Sequence, residues 1–365
     1  MSNDSRNSLI AKLIKPEVQA MAAYHVADAS GMVKLDAMEN PYAWPQSLQS
    51  PLAAALAAAD VNRYPDAHAS AVKTALRKAM QLDAQHEIVF GNGSDEIIQM
   101  LALALGRPGA TILSVEPAFV MYKVIAAWLG LNYVGVPLTE DFALDEVATL
   151  AAIDQHKPAL VFLAVPNNPT GNVFDHRSVE NIITATPGLV VIDEAYLPFT
   201  DSNLLPLIDR YDNVVVMRTL SKVGLAGLRL GMLIGHSEWL HEIDKVRLPY
   251  NINVLTQQAA LIALNNYDHF LQQAAVLREQ RSKLMAALQA MPQLKVWPSE
   301  ANFITLRTLA LPARDVFADL KAQGVLIKCL DGAHPLLRDC LRVTVSTAEE
   351  NARFLAALRQ ALNSN

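Results

Sequence analysis

Between residues 45 and 251 short, wholly apolar runs alternate with longer amphipathic stretches. Glu87-Ile88-Val89-Phe90, Ala159 to Val165, Leu189-Val190-Val191-Ile192 and Asn213 to Met217 lack the every-other-residue polarity of a strand with one wet face. Such runs read as strands buried on both sides, as in a parallel sheet covered by helices. The alternation predicts an α/β unit, a mostly parallel sheet flanked by helices. The rhythm then changes. One long helical stretch is expected from about Leu255 to Met291. After it come a strand at Phe303-Ile304-Thr305-Leu306, a helix from Ala313 to Gln323, strands near Val325 and Leu341, and a last helix from Ala348 to Leu362. That is the pattern of a smaller α+β unit. The expected layout is an N-terminal arm at 1–44, a large domain at 45–251, and a linking helix with a small domain at 252–365 that also takes in part of the arm. Alanine-rich Leu52 to Ala59 suits a helix. No internal repeat or low-complexity linker interrupts the chain.

Polar motifs follow these strands, where open α/β sheets hold their ligands. After the run ending at Met217 stands Thr219-Leu220-Ser221-Lys222, then glycines and Arg229. A lysine in a half-dry pocket has a depressed pKa and can form a Schiff base with a carbonyl. Hydroxyls, glycine amides and an arginine suit a phosphate dianion. A carbonyl and a phosphate on one small molecule describe pyridoxal phosphate. Asp193 ends another strand, in Asp193-Glu194-Ala195-Tyr196. A buried carboxylate there could keep the cofactor's ring nitrogen protonated; an ordinary helix cap is the competing use. Tyr196 and Asn168, the latter in the stiff turn Pro166-Asn167-Asn168-Pro169-Thr170-Gly171, could both reach the ring hydroxyl. Gly91-Asn92-Gly93-Ser94-Asp95-Glu96 leads into a helix expected at Ile97 to Leu105, an arrangement that makes an anion site from free amides. It is no dinucleotide fingerprint, because Glu96 stands where the third glycine belongs.

With these motifs in this order the chain resembles the fold-type I, pyridoxal phosphate-dependent aminotransferases, and within them is most similar to the histidinol-phosphate aminotransferases. Leu35-Asp36-Ala37-Met38-Glu39-Asn40-Pro41-Tyr42, Asn62-Arg63-Tyr64-Pro65-Asp66 and Cys340-Leu341-Arg342-Val343-Thr344-Val345 extend the likeness over nearly the whole chain. The resemblance implies a large and a small domain and a homodimer with shared active sites. It implies amino transfer from histidinol phosphate to 2-oxoglutarate, in histidine biosynthesis. Lys222 would carry the cofactor and shuttle the proton, and Asp193 would pair with the ring nitrogen. Asn168 and Tyr196 would bind the ring hydroxyl, and Phe119 would stack on the ring. Ser94, Asp95, Thr219, Ser221 and Arg229 would hold the phosphate, helped by Tyr64 of the other subunit. Arg342, with Lys328 and Asn40, would bind substrate. The chain departs from the family pattern in a Lys222–Arg229 loop one residue short, Phe119 for tyrosine, Met38 for asparagine, Ser346 for glycine, and Lys328 for arginine. A lysine there gives up two-pronged anion binding. An aminotransferase for aromatic or other amino acids, a phosphothreonine-type decarboxylase, and a non-catalytic relic of the fold remain alternative readings.

Composition narrows the classes. The 365 residues suit more than one core, and 52% hydrophobic against 18% charged residues can build them. A formal net charge of -6 speaks against nucleic acid as a partner. Cys329 and Cys340 read as free thiols of a reducing compartment. The opening Met1 to Arg6 lacks the apolar core of a signal segment, and no apolar run is long enough to span a bilayer. A cytoplasmic protein without membrane partners is expected. The nine histidines show no paired ligand spacing, so no metal is expected.

Overall fold

Strands form where the apolar runs lie. In chain order they are β1 (Val33–Lys34), β2 (Glu87–Asn92), β3 (Thr111–Glu116), β4 (Asn132–Pro137), β5 (Leu160–Ala164), β6 (Leu189–Asp193), β7 (Val214–Thr219), β8 (Leu230–Gly235), β9 (Leu294–Val296), β10 (Phe303–Thr308), β11 (Val325–Leu326), β12 (Lys328–Cys329) and β13 (Cys340–Thr344). The structure is a computed structural model and describes residues 3–23 and 26–363. Met1 and Ser2, which belong to the segment read for targeting, lie outside the described residues. So do Tyr24 and His25 of the arm, and Ser364 and Asn365 at the end.

Seven strands make one sheet in the order β2-β8-β7-β6-β5-β3-β4. Only β8 runs against the rest, pairing antiparallel with β2 and β7. The carboxyl ends of β2, β3, β5, β6 and β7 therefore share one rim. Side chains alternate across the sheet, and both faces are covered. Val161, Leu163, Val190, Ile192, Val214 and Val216 join the core on one face. Leu160, Phe162, Leu189, Val191, Val215 and Met217 join the core on the other, with Ile97, Leu101 and Tyr122 from helices. Two apolar faces on one strand explain why these runs carry no period-2 polarity.

A second sheet, β12-β13-β10-β9, belongs to the C-terminal part, and β1 of the arm pairs with β11 beside it. Leu35 of the arm is buried in the same core as Phe303, Leu341 and Phe354. The expected single helix from Leu255 to Met291 is two, Val254–Asn265 and Tyr267–Gln289. Asn266 breaks it with φ -127, while its side-chain amide donates to the Ile262 carbonyl at 2.9 Å. A short amide side chain bonded to the preceding turn competes with the helical ladder. The helix expected from Ile97 begins earlier, at Ser94, because Gly93 caps it at φ 82. That shift turns the amides of Ser94 and Asp95 toward the rim.

Candidate active site

Lys222 lies on a π-helical turn, Ser221–Leu225, just past β7. The turn depends on Gly224, which has φ 119; a Cβ there would stand 2.8 Å from Asn40 Nδ2. The Lys222 ammonium is 3.4 Å from the Ala37 carbonyl and 5.8 Å from the centre of the Tyr196 ring. Burial, reinforced by the nearby Arg342 guanidinium, lowers its pKa to about 8. A lysine near that value keeps a useful neutral fraction under ordinary conditions.

Asp193 ends β6 and is 5% exposed. Its Oδ2 accepts from the Tyr122 hydroxyl at 2.6 Å, and its Oδ1 from the Ala195 amide at 3.0 Å. Burial raises its pKa to about 6, against the pull of those two donors. A carboxylate so dry gains by facing a cation. Behind it, Glu194 and Arg218 form a buried ion pair, 2.7 Å apart. The pair ties the end of β6 to β7, so the strand ends bearing Asp193 and Lys222 keep a fixed spacing.

Arg342, Asn168 and Tyr196 form a chain of contacts. Arg342 Nη1 donates to Asn168 Oδ1 at 2.6 Å, and Asn168 Nδ2 donates to the Tyr196 hydroxyl at 3.0 Å. Arg342 Nη2 donates to the Asp36 carbonyl. All three side chains are buried, and burial drives the Tyr196 phenol well above its ordinary pKa.

A cup forms at the amino end of helix Ser94–Leu105. Thr219 Oγ1 donates to Ser221 Oγ at 2.9 Å, and Arg229 Nη2 lies 3.2 Å from Asp95 Oδ2. Gly93 suits this place because its φ of 82 is one that L side chains rarely adopt, and a Cβ would also displace the Arg229 guanidinium. Ser94 Oγ is buried and has no hydrogen-bond partner within the protein. An unpaired buried hydroxyl beside helix amides and an arginine fits a phosphate.

These residues line one cavity of about 410 Å³, which takes in Lys222, Asp193, Tyr196, Asn168, Phe119, Ser94, Asp95, Thr219, Ser221 and Arg229. Phe119 meets Tyr122 edge-on at 5.7 Å. Four expected residues lie elsewhere. Lys328 lines an adjoining cavity that also reaches Arg342. Tyr64 is 80% exposed and stacks on Tyr250 at 4.4 Å, outside its own subunit's cavity. Asn40 does not line the cavity in this structure. Its amide is spent on the Val223 carbonyl and on Gln273, its oxygen accepts from the Tyr42 amide, and Ala37, Met38 and Glu39 line the cavity instead. Tyr122 was not singled out by sequence. Its signal was slight: it lies three positions after Phe119, in the first turn of the helix that begins at Met121.

Cys329 and Cys340 are free, the first partly and the second fully buried. Among the described residues no cluster of His, Cys, Asp or Glu could hold a metal ion. No described helix is long and apolar enough to cross a membrane.

A family model described as aminotransferase class I and II matches residues 30–358. The histidinol-phosphate aminotransferase of Chromobacterium violaceum is 54% identical over 96% of this chain and 98% of its own length. Histidinol-phosphate aminotransferase 2 of Nitrosococcus oceani is 51% identical over 96% of this chain and 97% of its own. The crystal structure of histidinol-phosphate aminotransferase from Sinorhizobium meliloti in complex with pyridoxal 5'-phosphate superposes with a TM-score of 0.86 at 24% identity, covering 96% of this chain and 98% of that one.

Proposed function

The chain belongs to the class I and II aminotransferases, and from that premise we propose that it transfers the amino group of L-histidinol phosphate to 2-oxoglutarate. The products are imidazole acetol phosphate and L-glutamate, and the step lies in histidine biosynthesis. The carrying observation is near-full-length identity of about half to enzymes of that name, over a chain that keeps Lys222, Asp193 and Arg229 around one cavity. A cytoplasmic location fits a biosynthetic enzyme of this kind.

The cofactor is pyridoxal 5'-phosphate. When bound it supplies a carbonyl for the amine and an electron-withdrawing ring. The rest falls to the protein. Ser94, the helix amides, Thr219, Ser221 and Arg229 take the phosphate, which gives the buried Ser94 hydroxyl a partner. Asp193 holds the ring nitrogen protonated, and Tyr122 and the Ala195 amide keep that carboxylate aimed. Tyr196 and Asn168 would serve the ring hydroxyl, and Phe119 would face the ring. Lys222 Nζ would take the proton from the substrate α-carbon and pass it to the carbon that bore the cofactor's carbonyl. Ala164 and Ala195, small residues in the same cavity, leave room for a flat ring.

Arg342 meets the anionic end of both substrates, a phosphate in one half-reaction and a carboxylate in the other. Arg342→Ala should therefore weaken both half-reactions. Arg342→Lys should recover only part, since an ammonium lacks the planar fork. Loss of 2-oxoglutarate use with histidinol phosphate unaffected would place the phosphate elsewhere and sink this assignment.

The active site is shared across a homodimer in this proposal. Tyr64 is exposed, stacks on Tyr250 and does not line its own subunit's cavity. A phenol so placed can serve a phosphate on the partner. Tyr64→Ala should bind cofactor weakly and Lys222→Ala should be inactive. A mixed dimer of the two has one site with both native residues, and activity should return at it. No recovery on mixing means Tyr64 serves its own subunit.

A further inference from the structure

The cofactor cavity opens into a second one of about 390 Å³, and the two share Met38, Phe119 and Asn168. Three cations line the second cavity, Lys123, Lys328 and Arg342, against a single carboxylate, Glu116. That balance suits a group carrying close to two negative charges, as a phosphate monoester does at neutral pH. It exceeds what one carboxylate needs. Lys328 and Arg342 are opposite each other in the β12–β13 pair, so they stand on the same face. Arg342 already gives donors to Asn168 and to the Asp36 carbonyl. Further charge must come from a neighbour.

Lys123 is that neighbour on the opposite wall. It sits in the first turn of helix Met121–Leu129. A cation there opposes the helix dipole, and a docked anion offsets the cost. Its ammonium lies 3.6 Å from Glu116 Oε1 and 5.7 Å from the centre of the Tyr133 ring. Neither contact is a hydrogen bond, so its donors remain available to a ligand. Glu116 is held against β4 by the absence of a side chain at Gly135, where a Cβ would stand 2.3 Å from Glu116 Cδ. From there it faces both Lys123 and His334, whose Nε2 is 3.8 Å away. His334 Nδ1 accepts from the Leu336 amide, which leaves the proton on Nε2, at the cavity.

We propose that, in this second cavity, Lys123 is the residue that selects a phosphate ester over a carboxylate as the far end of the amino donor. Glu116 positions Lys123 and does not touch substrate. The inference rests on histidinol phosphate as the donor. The glutamate carboxylate is met by Arg342, and Lys123 adds nothing to it.

The test compares three amino donors on the holoenzyme, each followed as a single half-reaction by the cofactor's visible spectrum. The donors are histidinol phosphate, histidinol without its phosphate, and glutamate. Lys123→Gln keeps a polar side chain one atom shorter and removes the charge; Lys123→Arg keeps the charge. With Lys123→Gln, kcat/KM for histidinol phosphate should fall about tenfold, chiefly through KM, as one lost ionic contact warrants. The values for glutamate and histidinol should stay within about twofold, a free-energy change too small to mark a lost contact. Lys123→Arg should restore most of the loss. An equal fall for all three donors would show that Lys123 supports the Phe119 segment and would overturn the inference. Unchanged use of histidinol phosphate would overturn it too. A wild-type enzyme that accepts glutamate and refuses histidinol phosphate overturns the donor assignment itself, and this inference with it.

Discussion

Lys222→Ala should lose amino transfer, by roughly a thousandfold or more, because a single positioned group both holds the carbonyl and moves the proton. The fold should survive. The side chain makes one long contact to the Ala37 carbonyl and otherwise lies within a cavity. The variant should still retain some cofactor, because the phosphate cup around Ser94 and Arg229 is built without Lys222. Borohydride should fix the cofactor of the wild-type protein to the peptide that contains Lys222; labelling of another lysine would refute the assignment. Burial lowers the pKa of Lys222 to about 8, so its reactive neutral form grows as pH rises through 8. The rate at which cofactor-free protein captures pyridoxal phosphate should climb across that range and level off above it. A flat profile would contradict the buried, half-neutral lysine.

Asp193→Asn should slow the abstraction of the α-proton by several orders of magnitude. Fixed charges in a dry site commonly contribute ~3 kcal/mol or more to such a step. The same substitution should stabilise the cofactor-free protein at neutral pH. The folded pKa of Asp193 is raised from 3.8 to about 6 by burial. Between those values the folded state binds more protons than the unfolded one, so stability falls as pH rises from 3.8 through 6. Above that window the cost is about 3 kcal/mol, from ~2 pKa units. Asparagine never ionises, so it escapes the penalty. Urea denaturation of both cofactor-free proteins at pH 4 and pH 8 checks this. The variant should lead at pH 8 and show little advantage at pH 4. Equal stability at both pH values would mean that Tyr122 and the Ala195 amide already compensate the charge.

Most residues that the structure gathers around the cavity were legible because they follow strands that are apolar on both faces. Asp193 and Asn168 stand out against Leu189 to Ile192 and Leu160 to Val165, where nothing else is polar. Lys222 is marked by hydroxyls before it and by Gly224 and Arg229 after it. Four of the sheet's seven strands, β2, β5, β6 and β7, were legible for the same reason, whereas β3, β4 and β8 were not singled out. What sequence left open depends on tertiary docking. Tyr122 looks like any aromatic on an amphipathic helix until the helix lays its hydroxyl on Asp193. The second cavity joins Glu116 and Lys123, at the end of β3 and on the helix after it, to Lys328, His334 and Arg342, about 200 residues later in the chain, and no local pattern links them. Asn40 sits in a motif-rich arm, yet the contacts at Gly224 claim its side chain. The break at Asn266 was hidden because apolar residues continue on both sides of it.

A half-reaction screen of amino donors bears most directly on the central claim. Purified holoenzyme is mixed with single donors, and conversion of the bound cofactor to its aminated form is followed in the visible. Histidinol phosphate and glutamate should each drive conversion, with no carbon dioxide released, and 2-oxoglutarate should reverse it. Conversion by aromatic amino acids with none by histidinol phosphate would contradict the account. So would carbon dioxide released from a phosphorylated amino acid without any need for a 2-oxo acid.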